Sequence, residues 1–476
     1  MSRFNPFLLK LLFCLVAFLF VFIPLYPKFP LFNVSGTFVA IRIEDLLIAL
    51  TLTVWIVYLI LSKGVKELLR DKIFQTILLF FFIGLLSVFS AIFLTHTVVT
   101  HLSILNFLRR FEFILLLPAV ITCIRGRKQI IAILVLLSVV LIAVNSYALG
   151  QKYLDWPVIS TTNSEFAKGL ILRLTPDARV NSTFAGHYDL AAFLALAVTF
   201  MSSLFFAVKK RFKILIVLLM AFSVVILIMT AARQSFIAAF SGILLMLWIT
   251  GKKKYILVFL ILTGLILVYP SQLRDRFIST VTINVFNQGQ RYIPQTDDQE
   301  KRSQLNIPTL AIKTSSTSGT ASTFASSSGE TASDITPGEP VDSTQLGVFR
   351  SFEIRLNIEW PRAINAFIKN PLLGTGYSSM GIATDNDFLR SLGETGLLGT
   401  WALALILIGV GKEIYKKIKS VNEFTKYFSA GVFCVIIVFI INGMFIDVFE
   451  ASKVASLFWM MLGLGLAVKN LDEKNI

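Results

Sequence analysis

Arginine, histidine and acidic side chains gather in a few short segments of this chain, and these residue types can bind an anion or move a proton. Arg233 lies in "IMTAARQSF", between two apolar stretches. Arg173 and Arg179 precede "NSTFAGHYDLAAFL", which contains His187 and Asp189. A guanidinium group binds phosphate through parallel hydrogen bonds, and an imidazole or a carboxylate can act as a general base. The three arginines are therefore candidates for one anion-binding site.

Each of these residues also has a structural interpretation. Arg233 could be an ordinary cation of a hairpin loop, and Arg173 and Arg179 could be solvated loop charges. Asp189 could cap a helix, and His187 could lie at a membrane interface. Both interpretations remain open from the residues alone.

A second group of chemically capable residues lies in "NPLLGTGYSSMGIATDNDFLRSLGETGLLGT", which begins at Asn370. It contains Asp385, Asn386, Asp387 and Glu394 just before an apolar stretch. Two neighbouring aspartates supply too few ligands for a divalent cation, and the three cysteines of the chain lie in apolar runs without metal-type spacing. The sequence therefore predicts no metal and no cofactor.

The elements that position these residues are membrane helices, as the composition indicates. The chain has 476 residues, of which 55% are hydrophobic and 15% charged. This is too apolar for a soluble globular protein, and it also excludes a disordered, collagen-like or disulfide-stapled chain. A transmembrane helix needs about 20 apolar residues, and this rule predicts about twelve spans. They lie near 8–26, 41–62, 73–95, 104–124, 128–149, 188–208, 214–231, 234–250, 256–270, 397–414, 427–448 and 453–468.

The basic residues orient the predicted spans. The formal net charge is +16, and the clusters of Lys and Arg follow the even-numbered spans. Because such clusters stay in the cytoplasm, both termini are predicted to be cytoplasmic. The basicity then reflects topology, and no nucleic-acid partner is predicted. Arg233 falls on the side opposite the clusters, facing the exterior.

The sequence divides into three parts by composition. Residues 1–270 hold the first nine spans, with an external loop over 150–187. Residues 271–396 form a large external loop, and residues 397–476 hold the last three spans. The fold class is thus an all-α polytopic membrane protein with its large external loop between spans 9 and 10.

The large loop is not uniform. Its Ser- and Thr-rich part, 303–345, cannot bury enough apolar surface to fold and is predicted to be disordered. Residues 347–369 are predicted to form an amphipathic helix, with a possible break at Pro361.

Three motifs together resemble one known family, the O-antigen ligase/polymerase superfamily of Wzy/WaaL-like membrane glycosyltransferases. They run from Arg179 to Ala191, from Thr230 to Gln234 and from Asn370 to Gly399. The resemblance implies a donor glycan carried on undecaprenyl diphosphate, without a metal or a nucleotide sugar. It also implies a location in the cell inner membrane and a site facing the periplasm or exterior.

The resemblance further implies roles for single residues. Arg179 and Arg233 take the position of arginines that hold the diphosphate, and Arg355 is a further candidate. Typical ligases carry His-Asn where this chain has Asp385-Asn386, and Asp-Asn is frequent in polymerase-like members. Polymerisation is therefore favoured over ligation.

The general base is left open by this difference. Asp385 is the first candidate, followed by His187 and Glu394, with Asp189 and Asn386 as further substrate contacts. The acceptor could be a glycan, a lipid or a protein.

Alternative functions are transfer of oligosaccharides to protein by a member of the same superfamily, or a flippase or transporter for lipid-linked oligosaccharides. The functional candidates gather at helix ends, whereas a transporter places charges near the bilayer midplane. A purely structural membrane anchor would leave the external arginines without a purpose. The sugar, its linkage and the acceptor have no signature in the sequence.

Overall fold

The computed structural model describes residues 4–27, 29–35, 40–158, 173–174, 178–282, 331–332, 352, 354–381 and 383–468, and almost all of these residues belong to helices or their connections. The helices follow the chain in this order: α1 (Phe4–Leu25), α2 (Ile43–Ser62), α3 (Val65–Arg70), α4 (Lys72–Phe89), α5 (Thr100–Cys123), α6 (Arg127–Tyr153), α7 (His187–Ala207), α8 (Lys210–Met229), α9 (Arg233–Ile249), α10 (Lys254–Val268), α11 (Gln272–Thr282), α12 (Trp360–Lys369), α13 (Asp387–Lys417), α14 (Glu423–Gly443) and α15 (Ser452–Ala467). π-Helical turns follow α4, at Ser90–Leu94, and precede α12, at Arg355–Glu359.

Every predicted span coincides with one of these helices. Among the described residues, eight helices are long and apolar enough to cross a membrane, and the bent pair α10–α11 would raise that number to nine. Helices α9 and α15 are apolar but shorter. The protein is therefore an all-α membrane protein, while the full number of about twelve spans stays a prediction.

The most buried helices lie at the centre of the bundle. In α7, α14 and α15 most side chains are buried, whereas in α10 only Thr263 is. Helix α9 is tied to α14 by a hydrogen bond of 2.7 Å from Ser235 Oγ to Asn442 Oδ1. Polar side chains buried between membrane helices pair in this way because lipid offers them no partner. This bond fixes the end of α9 at which Arg233 lies.

The segment predicted as one long external loop contains more helix than expected. Helix α11 follows α10 after a bend of 92°. Helix α13 begins at Asp387, inside the predicted loop, and Gly396 kinks it with φ 66° and ψ −166°. The tenth predicted span, near 397–414, corresponds to the part of α13 beyond the kink. A kink needs a positive φ here, which glycine adopts without strain.

The predicted amphipathic helix is present over its described part. The chain is helical from Ile354 through the π-helical turn into α12, so Pro361 does not break it. Proline is tolerated in the first turn of α12 because its missing N–H would have no partner in that turn. Most of 303–345 lies outside the described residues, apart from Thr331–Ala332.

The strands are few and short. Strands β1 (Pro30–Asn33) and β2 (Ala40–Arg42) pair antiparallel before α2. Strands β3 (Arg173–Leu174) and β4 (Thr331–Ala332) pair parallel and link the two predicted external loops. These pairings do not alter the all-α class of the fold.

Candidate active site

Four arginines from separate segments meet at one end of the bundle, and we call them the arginine cluster. Arg233 interacts electrostatically with Arg276, Arg355 and Arg179. The phenol of Tyr188 interacts with Arg179, Arg276 and Arg355, and also with the carboxyl of Asp385. Like charges repel, so their convergence must be enforced by the helices that carry them. The predicted anion-binding arginines therefore lie together, and Arg276 joins them.

Arg233 is the first residue of α9 and is held by neutral groups. It is 8% exposed. Its Nη1 donates to Thr280 Oγ1 and, at 3.4 Å, to the carbonyl oxygen of Arg276, both on α11. Its guanidinium carbon lies 5.9 Å from the centre of the Phe352 ring. A buried guanidinium whose hydrogen-bond partners among the described residues are neutral favours an anionic ligand.

Arg179 is held by a histidine. Its Nη1 lies 2.7 Å from Nε2 of His187, the first residue of α7. Because arginine is always protonated and has no acceptor, Nε2 accepts this bond and carries no proton. His187 is therefore neutral in this arrangement and helps to orient Arg179. The rings of His187 and Tyr188 lie 4.0 Å apart.

Arg355 is paired with Asp385. Its Nε and Nη2 donate to Oδ2 of Asp385 at 3.0 and 2.7 Å, and the Asp385 side chain is 34% exposed. Among the described residues, no group hydrogen-bonds Oδ1 of Asp385. Burial raises the pKa of Asp385 above its usual value, although Arg355 opposes this effect. A carboxylate with a raised pKa is a stronger base, so Asp385 is suited to accept a proton.

The backbone around Asp385 is also unusual. Its φ is 49°, in the left-handed region that aspartate tolerates better than most residues. The next residue, Asn386, caps α13, since its Oδ1 accepts from the backbone N–H groups of Phe388 and Leu389 at 3.1 and 3.0 Å. Asn386, predicted to contact substrate, thus has a structural role in this arrangement.

Two helix N-termini add to the positive potential at the arginine cluster. Helix α7 begins at His187 and α9 begins at Arg233. The N-terminus of a helix carries a partial positive charge and backbone N–H groups without intrahelical partners. The cluster therefore combines four full positive charges with two dipole ends that favour an anion.

The glycines of "NPLLGTG" serve packing against the kink of α13. Thr375 N–H donates to Gly393 O at 2.8 Å, and Gly376 N–H donates to Glu394 O at 2.9 Å. Gly374 has φ +69°, and a Cβ there would lie 2.4 Å from the carbonyl carbon of Glu394. The motif therefore holds the part of α13 that contains the kink.

Beside the arginine cluster lies a set of charged residues linked by ion pairs or, for Asp387, by electrostatic interactions, and we call it the ion-pair network. Its members are Arg110, Asp387, Arg390, Glu394, Asp447 and Glu450. Arg390 contacts Asp447 at 3.1 Å, Glu450 at 3.3 Å and Glu394 at 3.4 Å. Arg110 pairs with Glu450. Asp387 accepts from the N–H of Phe449 at 3.1 and 3.3 Å. The network joins α5 and α13 to the turn between α14 and α15.

Glu394 lies in this network and away from the arginine cluster. It is 2% exposed, and its Oε1 accepts from Ser378 N–H at 3.2 Å as well as contacting Arg390. A general base must reach a substrate hydroxyl. Glu394 does not offer such access in this structure, which leaves Asp385 and His187 as the predicted bases that lie at the cluster.

Glu359 is a further acidic residue near the cluster. Its carboxyl interacts electrostatically with Asp385, Arg355 and Asp447. Burial, followed by the nearby charge of Asp385, raises the pKa of Glu359 to about 7. Its Oε2 is buried and makes no hydrogen bond within the described part of the chain. Glu359 therefore exchanges its proton near neutral pH, beside the candidate base.

The structure shows less of the surroundings of two predicted site residues, Arg173 and Asp189. Arg173 lies on β3, and its side chain falls outside the described residues. Asp189 lies in the first turn of α7, where a negative charge interacts favourably with the helix dipole. The N-cap position of α7 is Gly186, so Asp189 is the third residue of the helix and does not occupy its N-cap.

Five residues at or near the site were not predicted from the sequence, namely Arg276, Tyr188, Glu359, Asp447 and Glu450. The only signal was position: Asp447 and Glu450 follow an apolar run on the side opposite the lysine clusters, as Arg233 does. Their grouping depends on contacts between distant segments, which no local pattern encodes. Among the described residues, no group of three or more His, Cys, Asp or Glu side chains could hold a metal ion.

Part of the chain matches a known protein family. Residues 218–404 match a family described as O-antigen ligase. The match includes Arg233, Arg276, Arg355 and Asp385, and it ends before Asp447. No curated protein matches the chain.

The family implies lipid-linked glycan substrates and a glycosyltransferase-like activity of ligase or polymerase type. The apolar helices place this activity in a membrane. Over residues 218–404 this multi-pass membrane protein is therefore similar to the O-antigen ligase/polymerase-like superfamily.

Proposed function

We propose that the protein transfers glycans from a polyprenyl-diphosphate-linked donor at the outer face of the cytoplasmic membrane, and that it acts as a polymerase. The observation that carries the proposal is the convergence of Arg179, Arg233, Arg276 and Arg355 on one end of the bundle. A diphosphate carries the negative charge that such a cluster requires, and arginine binds phosphate oxygens through paired hydrogen bonds.

The proposed reaction exchanges one glycosidic bond for another. The acceptor hydroxyl attacks the anomeric carbon of the donor sugar while the bond from that carbon to the diphosphate oxygen breaks. The proton of the hydroxyl passes to Asp385, and polyprenyl diphosphate leaves as an anion. The arginine cluster stabilises the charge that develops on the leaving group. No nucleotide is consumed, because the donor bond supplies the free energy.

The orientation proposed for the chain follows from its charges. With about twelve spans and both termini in the cytoplasm, the lysine-rich loops lie inside and the arginine cluster lies outside. A polyprenyl-linked donor would then reach the cluster from the outer leaflet. The Asp385-Asn386 pair supports polymerisation, since the resemblance places His-Asn in ligases at this position.

The test uses the purified full chain in lipid nanodiscs with a polyprenyl-diphosphate-linked repeat unit as the only substrate. A polymerase converts the repeat unit into a ladder of longer lipid-linked products, which gel electrophoresis and mass spectrometry resolve. A single transfer to an added lipid or protein acceptor would instead identify a ligase or a protein glycosyltransferase. In sealed proteoliposomes, movement of the intact donor across the membrane without new bonds would overturn the proposal in favour of a flippase.

Helix α11 offers a matched pair of variants for this assay. Arg276 belongs to the arginine cluster, whereas Arg274 is 33% exposed in its side chain and pairs with its neighbour Asp275 at 3.0 Å. Arg276→Ala is expected to lower the transfer rate by about 100-fold, as loss of one charge-stabilising group does. Arg274→Ala is expected to leave the rate within about two-fold. Equal losses in the two variants would remove the support for a specific diphosphate site.

A further inference from the structure

An apolar groove lies between α13 and α14, in the half of the bundle away from the arginine cluster. Its volume is about 560 Å³. Its floor contains Leu407 and Ile436, which are 6% and 3% exposed, and Gly411 leaves it open. Phe433 and Ile440 stand at its sides. The groove faces outward from the bundle, where a membrane would surround it.

The groove has the depth of a single leaflet. From Leu407 to Lys416 it follows α13 toward the helix end, and a rise of about 1.5 Å per residue makes this distance about 14 Å. The hydrocarbon core of a bilayer is about 30 Å thick, so one leaflet contributes about half of that. An acyl chain of the leaflet on the lysine-rich side therefore matches the groove in direction and depth.

The mouth of the groove is basic. Lys412 and Lys416 lie one helical turn apart on the same face of α13, with Tyr415 beside them, and all three side chains are exposed. Lys416 contacts Glu413 at 2.6 Å, whereas Lys412 forms no ion pair within the described part of the chain. The mouth thus keeps a net positive charge at the level where lipid phosphates lie.

We propose that this groove binds an anionic phospholipid, with one acyl chain between α13 and α14 and the phosphate on Lys412 and Lys416. An apolar groove alone would accept any chain, and the two lysines add the selection for a negative headgroup. This site is separate from the arginine cluster and does not depend on the function proposed for that cluster.

Native mass spectrometry of the full chain tests the proposal, with detergent-solubilised protein titrated separately with phosphatidylglycerol and phosphatidylcholine. Wild type is expected to retain phosphatidylglycerol more strongly. Lys412→Gln combined with Lys416→Gln is expected to weaken that binding by about five-fold per lysine. Binding of phosphatidylcholine should not change, because the apolar groove is intact in this variant.

The matched control removes two exposed lysines elsewhere at the same end of the bundle, Lys63→Gln combined with Lys66→Gln. It is expected to leave phosphatidylglycerol binding unchanged. An equal loss in the control would mean general surface attraction and would overturn the proposal. So would equal retention of both lipids by wild type, or undiminished binding in the Lys412 and Lys416 variant.

A second variant tests the chain-binding part of the groove. A Cβ at Gly411 would lie 3.8 Å from the Phe433 ring and 3.9 Å from Ile436, so a side chain can enter without a clash at its base. Gly411→Leu is expected to lower the retention of both lipids, whereas the lysine variant lowers only one. Unchanged retention in a folded Gly411→Leu protein would place the lipid elsewhere. If this variant does not fold, the lysine variant and its control decide the proposal.

Discussion

The arginine cluster and the ion-pair network lie at the same end of the bundle, but their charges are arranged in opposite ways. In the network, Arg390 contacts three carboxylates within 3.4 Å. In the cluster, Arg233 donates to a hydroxyl and a carbonyl, and its charged neighbours include three arginines. The network joins its arginines to several carboxylates, whereas the cluster brings four arginines together with one ion-paired carboxylate, that of Asp385.

This difference separates a scaffold from a ligand site. Paired charges in a buried network hold helices in register and leave little potential for a ligand. Converging like charges raise the energy of the empty site and are neutralised when an anion binds. Asp447 connects the two regions, because it bonds Arg390 and interacts electrostatically with Asp385 and Glu359. The network thus positions the acid groups that flank the cluster.

The largest effect on stability is expected from Arg390→Ala. This change leaves Asp447, Glu394 and Glu450 without their shared cation in a buried setting, which costs about 3–5 kcal/mol. Thermal unfolding in detergent measures the loss. The matched control is Arg274→Ala, which breaks the more exposed pair with Asp275 and is expected to cost at most about 1 kcal/mol.

A stable Arg390→Ala protein with normal folding yield would contradict the scaffold role. We would then assign the ion-pair network to the substrate site, because buried ion pairs that contribute no stability must have another role.

Arg233→Ala is expected to lower the transfer rate strongly and the stability little, in contrast to Arg390→Ala, whose largest effect is on stability. Loss of one group that stabilises developing charge lowers the rate by about 100- to 1,000-fold. The stability should fall less than in Arg390→Ala, because the change also removes repulsion among the arginines. Transfer of a lipid-linked repeat unit and thermal unfolding are measured on the same preparations.

Arg233→Lys keeps the charge but not the planar pair of donors, so a partial rate is expected from it. A large loss of stability in Arg233→Ala with an unchanged rate would reverse the distinction between scaffold and ligand site.

A smaller effect concerns the proton on Glu359. Its pKa in the folded protein is raised to about 7, chiefly by burial, above the value of an exposed glutamate. The folded state therefore holds this proton more tightly than the unfolded state does. Its contribution to stability is fully present below about pH 4.3 and is lost as the pH rises through about 7.

Thermal unfolding measured across this pH range should show a decline in wild type that Glu359→Gln reduces. Glu67→Gln, at an exposed position of α3, is the control and should follow wild type. A wild-type profile identical to that of Glu359→Gln would show that Glu359 titrates as it does in water.

The positions of most helices could be predicted, because the length of an apolar stretch determines whether it can form a membrane helix. Each predicted span overlaps a helix. Arg233 was recognised as a candidate site residue because its predicted side of the membrane carries no lysine clusters. The bend of 92° before α11 could not be predicted, since "VYPSQ" is equally consistent with an ordinary loop. That bend brings Arg276 to Arg233, so the fourth arginine was missed for a tertiary reason.

The acidic residues of the segment that begins at Asn370 do not share one environment. Asp385, Asp387 and Glu394 lie within ten residues of one another, yet the start of α13 separates them. Asp385 faces Arg355, whereas Asp387 and Glu394 enter the ion-pair network. Proximity in sequence does not determine which neighbouring helix each side chain contacts. The packing of α13 against α4, α12 and α14 determines it.

The smallest effect is expected at Asn386, where a structural and a substrate role can be separated. Asn386 caps α13, and Asn422 caps α14 in the same way, by accepting from two backbone N–H groups. Asn386→Ala and Asn422→Ala are each expected to cost about 1 kcal/mol, the usual loss for a removed cap. If the Asn386 side chain serves only the cap, the two variants also transfer glycan at similar rates. A loss of activity beyond about ten-fold in Asn386→Ala alone would exceed what the shared loss of stability explains. Asn386 would then contact substrate beside Asp385, as its place in the motif predicts, and the boundary between scaffold and ligand site would run through this one residue.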